Sequence, residues 1–498
     1  MTMPALQKPH AKSKTGEHIT CLCRRLVLWE RGDIEELLRE GKVIQRQLPT
    51  SSSRGHADKD TAHKFSNLIM NGKVRNALRL LTPNSNSGFL SLDQVTAGGQ
   101  SVKDILQEKH PDANPAHPEV LLNGTNSIQD NNFHPILFDS ITADVIRTSA
   151  LHTEGSAGPS GVDAMSWRRF CTAFGQKSND LCSALAAFAR RISTTFVDPS
   201  SLQAYTACRL IPLDKCPGVR PIGIGEVARR IIGKAVMKTV KKDLQDAVGS
   251  LQLCAGQDAG CEAAVHAMSC MFEEDNTEAM LFVDASNAFN RLNRQVTLHN
   301  TQYICPAMGP ILINTYRNAS WLFVGGQCML SKEGTTQGDP LAMAMYAIGT
   351  QPLIHRLNGI GKQVWYADDS AAGSSVDNLK IWWDLLEEIG PLYGYFPNGS
   401  KTHLLVKPDA VERARVLFKG TGINISTEGK RYLGGVIGGT PFLKQFVGRK
   451  VQEWANELST FAKTQPHAAY AAFTHGLSSK WTYSCDLHAW RTQNFATS

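Results

Sequence analysis

The spacing of apolar positions changes several times along the chain, and each change predicts a different element. Leu22, Leu26, Trp29, Ile34, Leu37 and Leu38 recur at helical spacing over residues 20–47, with Gly32-Asp33 breaking the run and supplying a fresh N-cap. Phe65, Leu68 and Ile69, then Val74, Ala77, Leu78, Leu80 and Leu81, keep the helical period on either side of Gly72. Residues 226–243 predict a longer helix: Ile231, Ile232, Ala235, Val236 and Val240 form one face, and Arg230, Lys234, Lys238 and Lys242 stand four apart on another. Leu379, Trp382, Trp383, Leu385 and Leu386 mark an amphipathic helix whose stripe is core. Phe446, Val447, Val451, Trp454, Leu458 and Phe461 mark a further one.

Between these lie strand patterns. Met280-Leu281-Phe282-Val283 is a short unbroken apolar run of buried-strand type. Val364-Trp365-Tyr366 enters a tight hairpin tipped by Asp368-Asp369. Ala371-Ala372-Gly373-Ser374 leaves it, slim enough for something bulky to lie against. Residues 209–224 predict a second hairpin turned at Cys216-Pro217-Gly218-Val219, and residues 431–436 a third turned on glycines. Residues 51–58, 83–88 and 111–118 are loops by composition.

A chain of 498 residues exceeds one core and predicts two to four packed modules; 42% hydrophobic and 19% charged content are globular values. No run reaches the ~18 apolar residues that span a bilayer, and the first twenty residues hold no apolar signal core, which argues against secretion and membrane insertion. The net charge of +7 suits a polyanionic partner without proving one. Among twelve cysteines only Cys21 and Cys23 are close, and no second pair follows at zinc-ligand spacing. They read as reduced and mostly buried, hence an intracellular protein of nucleus or cytoplasm or both.

Two adjacent carboxylates at one bend repel each other, and a hard divalent cation with oxygen ligands is the simplest counter-charge. Asp284 closes the buried run 280–283, where a carboxylate is costly unless paired or metal-bound. If that strand packs beside the hairpin, Asp284 and Asp368 face one another across a gap that two Mg²⁺ ions bridge in two-metal phosphoryl transfer. Between them, Gly334-Thr335-Thr336-Gln337-Gly338-Asp339-Pro340 enters a helix and lets backbone approach a nucleotide. Cations on the facing strands of the second hairpin, Lys215 and Arg220, would repel unless an anion such as a triphosphate sat between them.

Asp284 with Phe289 five residues on, then Gln337-Gly338 before a helix, then Tyr366-Ala367-Asp368-Asp369 resemble the three palm motifs of reverse transcriptases. The wording Phe282-Val-Asp-Ala-Ser-Asn-Ala-Phe-Asn290 and Thr336-Gln-Gly-Asp-Pro340 is most similar to retrotransposons of the non-LTR type. The resemblance implies an RNA-directed DNA polymerase with an α+β right-hand fold: fingers, a palm with an antiparallel sheet and helices, and a partial helical thumb, preceded by a helical N-terminal extension. It implies Asp284, Asp368 and Asp369 as ligands of two Mg²⁺ ions, with Mn²⁺ as the alternative. Lys215 and Arg220 then grip the triphosphate, Gln337 and Gly338 position the nucleotide, and Phe289 is the steric gate against a 2′-hydroxyl. Residues 395–406 resemble the fourth palm motif, making Lys401 a charge stabiliser and proton donor at the leaving pyrophosphate. Tyr432, Leu433 and Gly434 resemble the primer-grip turn.

Arg230, Lys234 and Lys238 read as contacts to nucleic-acid backbone, with a solvated basic face as the alternative. Ala157-Gly158-Pro159-Ser160-Gly161, ahead of a helix opened by Trp167-Arg168-Arg169, resembles the entry to retroelement fingers. The implied division is 1–65 basic and partly disordered with short helices, 66–150 helical extension with loops, 151–272 fingers, 273–440 palm and 441–498 an incomplete thumb. The first 150 residues either pack on the polymerase or dock RNA. Implied partners are an RNA template, a DNA primer and deoxynucleoside triphosphates. The competing readings are a catalytically silent RNA-binding relic and, within the polymerases, a telomerase or group II intron maturase.

Overall fold

The structure, a computed structural model, describes residues 8–10, 13–47, 58–73, 77, 88–124, 135–215, 218–462, 470 and 473–478. In chain order its strands are β1 (Cys208–Asp214), β2 (Val219–Gly225), β3 (Ala279–Val283), β4 (Ser320–Val324), β5 (Gln327–Ser331), β6 (Lys362–Tyr366), β7 (Asp369–Ser374), β8 (His403–Val406), β9 (Asn424–Ser426), β10 (Gly429–Tyr432) and β11 (Gly435–Gly438). They form a four-stranded sheet ordered β2-β1-β4-β5, a five-stranded sheet ordered β6-β7-β3-β8-β9, and the ribbon β10-β11. Helices accompany all three, so the protein is mixed α+β.

The described residues within Met1–Gly55, Leu90–Leu244 and Asn293–Met345 make one compact unit; those within His56–Phe89, Gln245–Leu292 and Tyr346–Ser498 make another. The cut does not follow the expected boundary at 272/273. The helix Gly260–Glu273 packs with β3 in the second unit, whereas the segment holding β4 and β5 joins the first because β4 pairs with β1.

In the first unit, buried Cys208, Leu210 and Pro212 alternate with half-buried Arg209, Ile211 and Leu213 along β1, the period of a strand with one face inward. Leu92, Val102, Leu106, Val219 and Leu322 close that core. The helices Thr15–Arg31 and Ile34–Gln47 flank Gly32, whose φ of +80° supplies the expected break. The first of them starts inside the polar stretch expected to be partly disordered, since Glu17 accepts the Lys14 N–H at 3.1 Å.

Two helix expectations need correction. The run 226–243 is two helices, Val227–Thr239 and Lys241–Val248, parted at Val240, whose ψ is +10° and whose side chain is fully buried. Adjacent β-branched Thr239 and Val240 weaken the helix there. The helix carrying Trp167 spans Ala164–Thr172, because the Asp163 carboxylate accepts the Ser166 N–H (2.8 Å) and caps it three residues earlier than expected.

In the second unit β3 is central and buried along its whole length, which explains its unbroken apolar sequence. Ala264, Val265 and Met268 cover Met280 and Phe282; the helix Val376–Tyr393 buries Leu379, Trp382, Trp383 and Leu386. What lies against the slim strand β7 is the protein's own core: a Cβ on Gly373 would come within 2.6 Å of the Met280 sulfur.

All ten described cysteines are free, but four are buried, namely Cys171, Cys182, Cys208 and Cys305, so the expectation of a mostly buried set fails. Among the described residues no helix is long and apolar enough to cross a membrane. The turn at Cys216-Pro217, most of the helix expected over 74–81, and residues 463–498 apart from 470 and 473–478 lie outside the described residues.

Candidate active site

β3 ends where its neighbours turn. It pairs antiparallel with β7, Val283 opposite Ser370, and β7 pairs with β6, Tyr366 opposite Asp369. One step past the Val283–Ser370 pair, the register sets Asp284 against Asp369, with Asp368 in the adjoining turn. Asp284, Asp368 and Asp369 thus share one end of one sheet. Burial, then the charges of Asp368 and Asp284, push the Asp369 carboxyl up to about 6. Asp369 keeps a solvent-exposed surface, yet protein crowds the carboxyl itself closely enough for burial to lead.

The turn is held from behind. Ala367 has a φ of +54°, the left-handed region an alanine seldom adopts. Its N–H donates to Gln252 Oε1 (2.9 Å) and its carbonyl accepts from Gln252 Nε2 (3.2 Å), so one buried side-chain amide closes a ring with one residue's backbone. Leu251 and Leu253 extend that grip through their backbones, exchanging hydrogen bonds of 2.7 and 2.8 Å with Trp365. On the next peptide, the Tyr395 hydroxyl donates to the Asp368 carbonyl (3.0 Å) and lies 2.9 Å from Ser370 Oγ. Trp365 packs edge-on to Tyr395 and against Trp382.

Oxygen donors from aspartates suit Mg²⁺, a hard cation that usually takes one or two carboxylates and keeps water or phosphate for the rest. Among the described residues no three His, Cys, Asp or Glu side chains form a ready-made metal cage. The trio brings three carboxylates to one sheet end without forming a three-ligand site, and burial together with their mutual repulsion raises Asp369.

Phe289 sits on the short helix Ala288–Arg291, and its ring stacks on Tyr346 at 4.6 Å and 28°. The turn bearing Lys401 is tied to β3: Asn398 N–H donates to the Asp284 carbonyl (2.9 Å) and Lys401 N–H to the Asn398 carbonyl (3.1 Å). Lys401 itself is exposed. Leu433 and Gly434, at φ +45° and +87°, make the two-residue turn between β10 and β11. The Tyr432 ring is buried 5.2 Å from Phe282 in the core, so this residue offers its backbone rather than its ring to the expected primer grip. Gly434 is exposed at the tip, and Leu433 is half-buried against the same core.

In the first unit, Leu213 opposes Arg220 and the Lys215 N–H bonds the Gly218 carbonyl (3.0 Å). By that register Lys215 and Arg220 are diagonal neighbours on one face, both exposed. Gln337 and Gly338 lie against β2: the Gly223 N–H donates to the Gln337 carbonyl (3.0 Å), and a Cβ on Gly338, at φ +106°, would meet the Gly223 carbonyl at 2.8 Å.

The basic row behaves differently from expectation. Arg230 donates to the carbonyls of Glu154 (2.8 Å) and Ser156, and Lys234 to that of His152 (2.8 Å), so both fasten the segment after the helix Ala143–Leu151. Lys238 stays exposed. The spacing alone could not separate cations that grip a loop from cations that face solvent.

Gln252, Tyr395 and Tyr346 escaped the sequence reading, as did Arg229, which pairs with Asp339. The signals were slight: a lone Gln between two leucines, and an Arg on the apolar side of its helix. No family model matches the chain, and no curated protein matches it. Two solved structures similar to it are apo telomerase from Candida tropicalis, at 13% identity and TM-score 0.38 over 49% of this chain and 48% of that one, and the same enzyme truncated from its C-terminal domain, at 14% and 0.35 over 47% and 53%. The match spans about half the length of each, and a likeness this slight fixes neither a fold nor a chemistry.

Proposed function

We propose that the protein is an RNA-directed DNA polymerase of a non-LTR-type retroelement, adding deoxynucleotides to a primer 3′-hydroxyl. The observation that carries this reading is the register that sets Asp284 beside the Asp368–Asp369 turn. The order and wording of the motifs around these acids, Gln337-Gly338 included, supports it. In this reading the five-stranded sheet with its two flanking helices is the palm, β1 and β2 belong to the fingers, and the helix Thr440–Ala462 begins the thumb.

Asp284, Asp368 and Asp369 would hold Mg²⁺, which when bound supplies Lewis-acid activation of the attacking hydroxyl and charge neutralisation at the triphosphate. Lys215 and Arg220 neutralise the triphosphate from one face of their hairpin. The Gln337 and Gly338 backbone, fixed on β2, supports the incoming nucleotide. Phe289, braced by Tyr346, excludes a 2′-hydroxyl. Lys401 stabilises the departing pyrophosphate and donates a proton to it. Lys238, Leu433 and Gly434 contact the nucleic-acid strands, while Arg230 and Lys234 hold the loop of His152, Glu154 and Ser156.

The test is extension of an oligo(dT) primer on poly(rA) and on poly(dA), with Mg²⁺ and with Mn²⁺, beside Asp368→Asn as control. Metal-dependent extension on the RNA template, lost in the control, is the expected result. RNA binding without extension would favour the silent relic instead.

A further inference from the structure

We propose that Gln252 is a positioning residue for the carboxylate turn, an inference that rests on the polymerase reading above. Three observations converge on it. Gln252 is fully buried. Its amide satisfies both the N–H and the C=O of Ala367 at 2.9 and 3.2 Å, with a further contact from Nε2 to Thr350 Oγ1 at 3.3 Å. Ala367 is the residue whose left-handed backbone, at φ +54°, determines where the next residue, Asp368, points.

A left-handed alanine is strained and persists only when its surroundings hold it. Gln252 supplies that hold by standing in for the backbone of a neighbouring strand, since its amide carries the same donor and acceptor as a peptide. Leu251 and Leu253 dock the segment on Trp365, so Gln252 arrives at the turn from a parallel β-bridge to Trp365 rather than as a free side chain. Tyr395 holds the Asp368 carbonyl independently. Without Gln252 the Ala367 peptide relaxes and Asp368 swings, while the core behind it stays packed.

The experiment uses the full chain and Gln252→Met, which keeps the volume and removes both hydrogen bonds. Single-turnover extension should slow on the order of a hundredfold, the loss expected of a displacement near 1 Å, with nucleotide KM within about twofold of the parent. Amide exchange at Ala367 should accelerate while exchange at Leu281 and Leu405 does not. An unchanged single-turnover rate overturns the proposal, as does a loss confined to burst amplitude, which reports fewer folded molecules. Should the variant not fold, exchange in the parent decides: a fast-exchanging Ala367 amide overturns the clamp and a protected one supports it. A parent that fails to extend any primer defeats the polymerase reading alone, because the exchange comparison still judges the clamp.

Discussion

Arg229 and Asp339 form an ion pair in which each side chain keeps only 2% of its exposure. The guanidinium also donates to the Thr206 carbonyl (2.8 Å) and lies over the rings of Tyr205 and Tyr316, while Asp339 Oδ1 accepts the Leu341 N–H (2.8 Å). Burial opposes the charge on Arg229, and Asp339 together with its other neighbours outweighs it, so the cation is held well above its usual pKa. The pair ties the Gln337-Gly338 turn to the helix Val227–Thr239. Asp339→Asn or Arg229→Met alone should cost roughly 3–5 kcal/mol by leaving a buried charge without its partner. The double variant should cost clearly less than the sum, and urea denaturation of all four proteins gives the coupling; strict additivity refutes it.

Removing one of the three acids should leave the fold intact or firmer. Asp284→Asn and Asp368→Asn each delete one charge from a repelling trio, so extension should fall to background while the melting temperature holds or rises. A melting temperature several degrees lower would show that the acids serve structure.

Two groups should give stability opposite pH slopes. Asp369 titrates near 6 in the folded state against an ordinary value of 3.8, so the fold binds its proton more tightly and loses stability as pH rises from about 4 to about 6. His403, which lies on β8 at 2.7 Å from Ser426 Oγ, is lowered from 6.5 to about 4 by burial and then by Lys430. Its contribution is present above 6.5 and is lost as pH falls toward 4. Melts of Asp369→Asn and His403→Gln across pH 4–8 should each flatten the slope assigned to that residue; matching curves for parent and variant would remove the assignment.

Phe289→Ala should raise ribonucleotide incorporation by an order of magnitude or more, because the ring that would meet a 2′-hydroxyl is gone. Tyr346→Phe, which keeps the stack, should leave sugar selection unchanged. Competitive primer extension with paired ribo- and deoxynucleotides measures both, and equal selectivity in Phe289→Ala would reassign the gate.

Three strands of the five-stranded sheet, β6, β7 and β3, were legible because β3 is apolar throughout and the hairpin closes on two acids; β8 and β9 were not, and β9 runs parallel to β8 where an antiparallel sheet was expected. Period and turn chemistry act locally, which also made Gly32 and the core face of Trp382 and Trp383 legible. Gln252 was not legible, because a single amide bonding a backbone more than a hundred residues away leaves no periodic trace. Arg230 and Lys234 were misread for a related reason: their carbonyl partners come from a distant segment.

The topology of β3 also bears on how the molecule is made. Both of its neighbours, β7 and β8, lie downstream, the farther one ending at Val406. A nascent chain emerging at ~5–20 residues per second therefore carries this greasy ribbon with both edges unpaired for roughly 5–20 seconds, until β7 has been made. Through that interval its two open edges are templates for a neighbouring polypeptide on the same message. Yield from a cell should accordingly respond to translation speed and to holdase supply more than to the melting point of the finished protein.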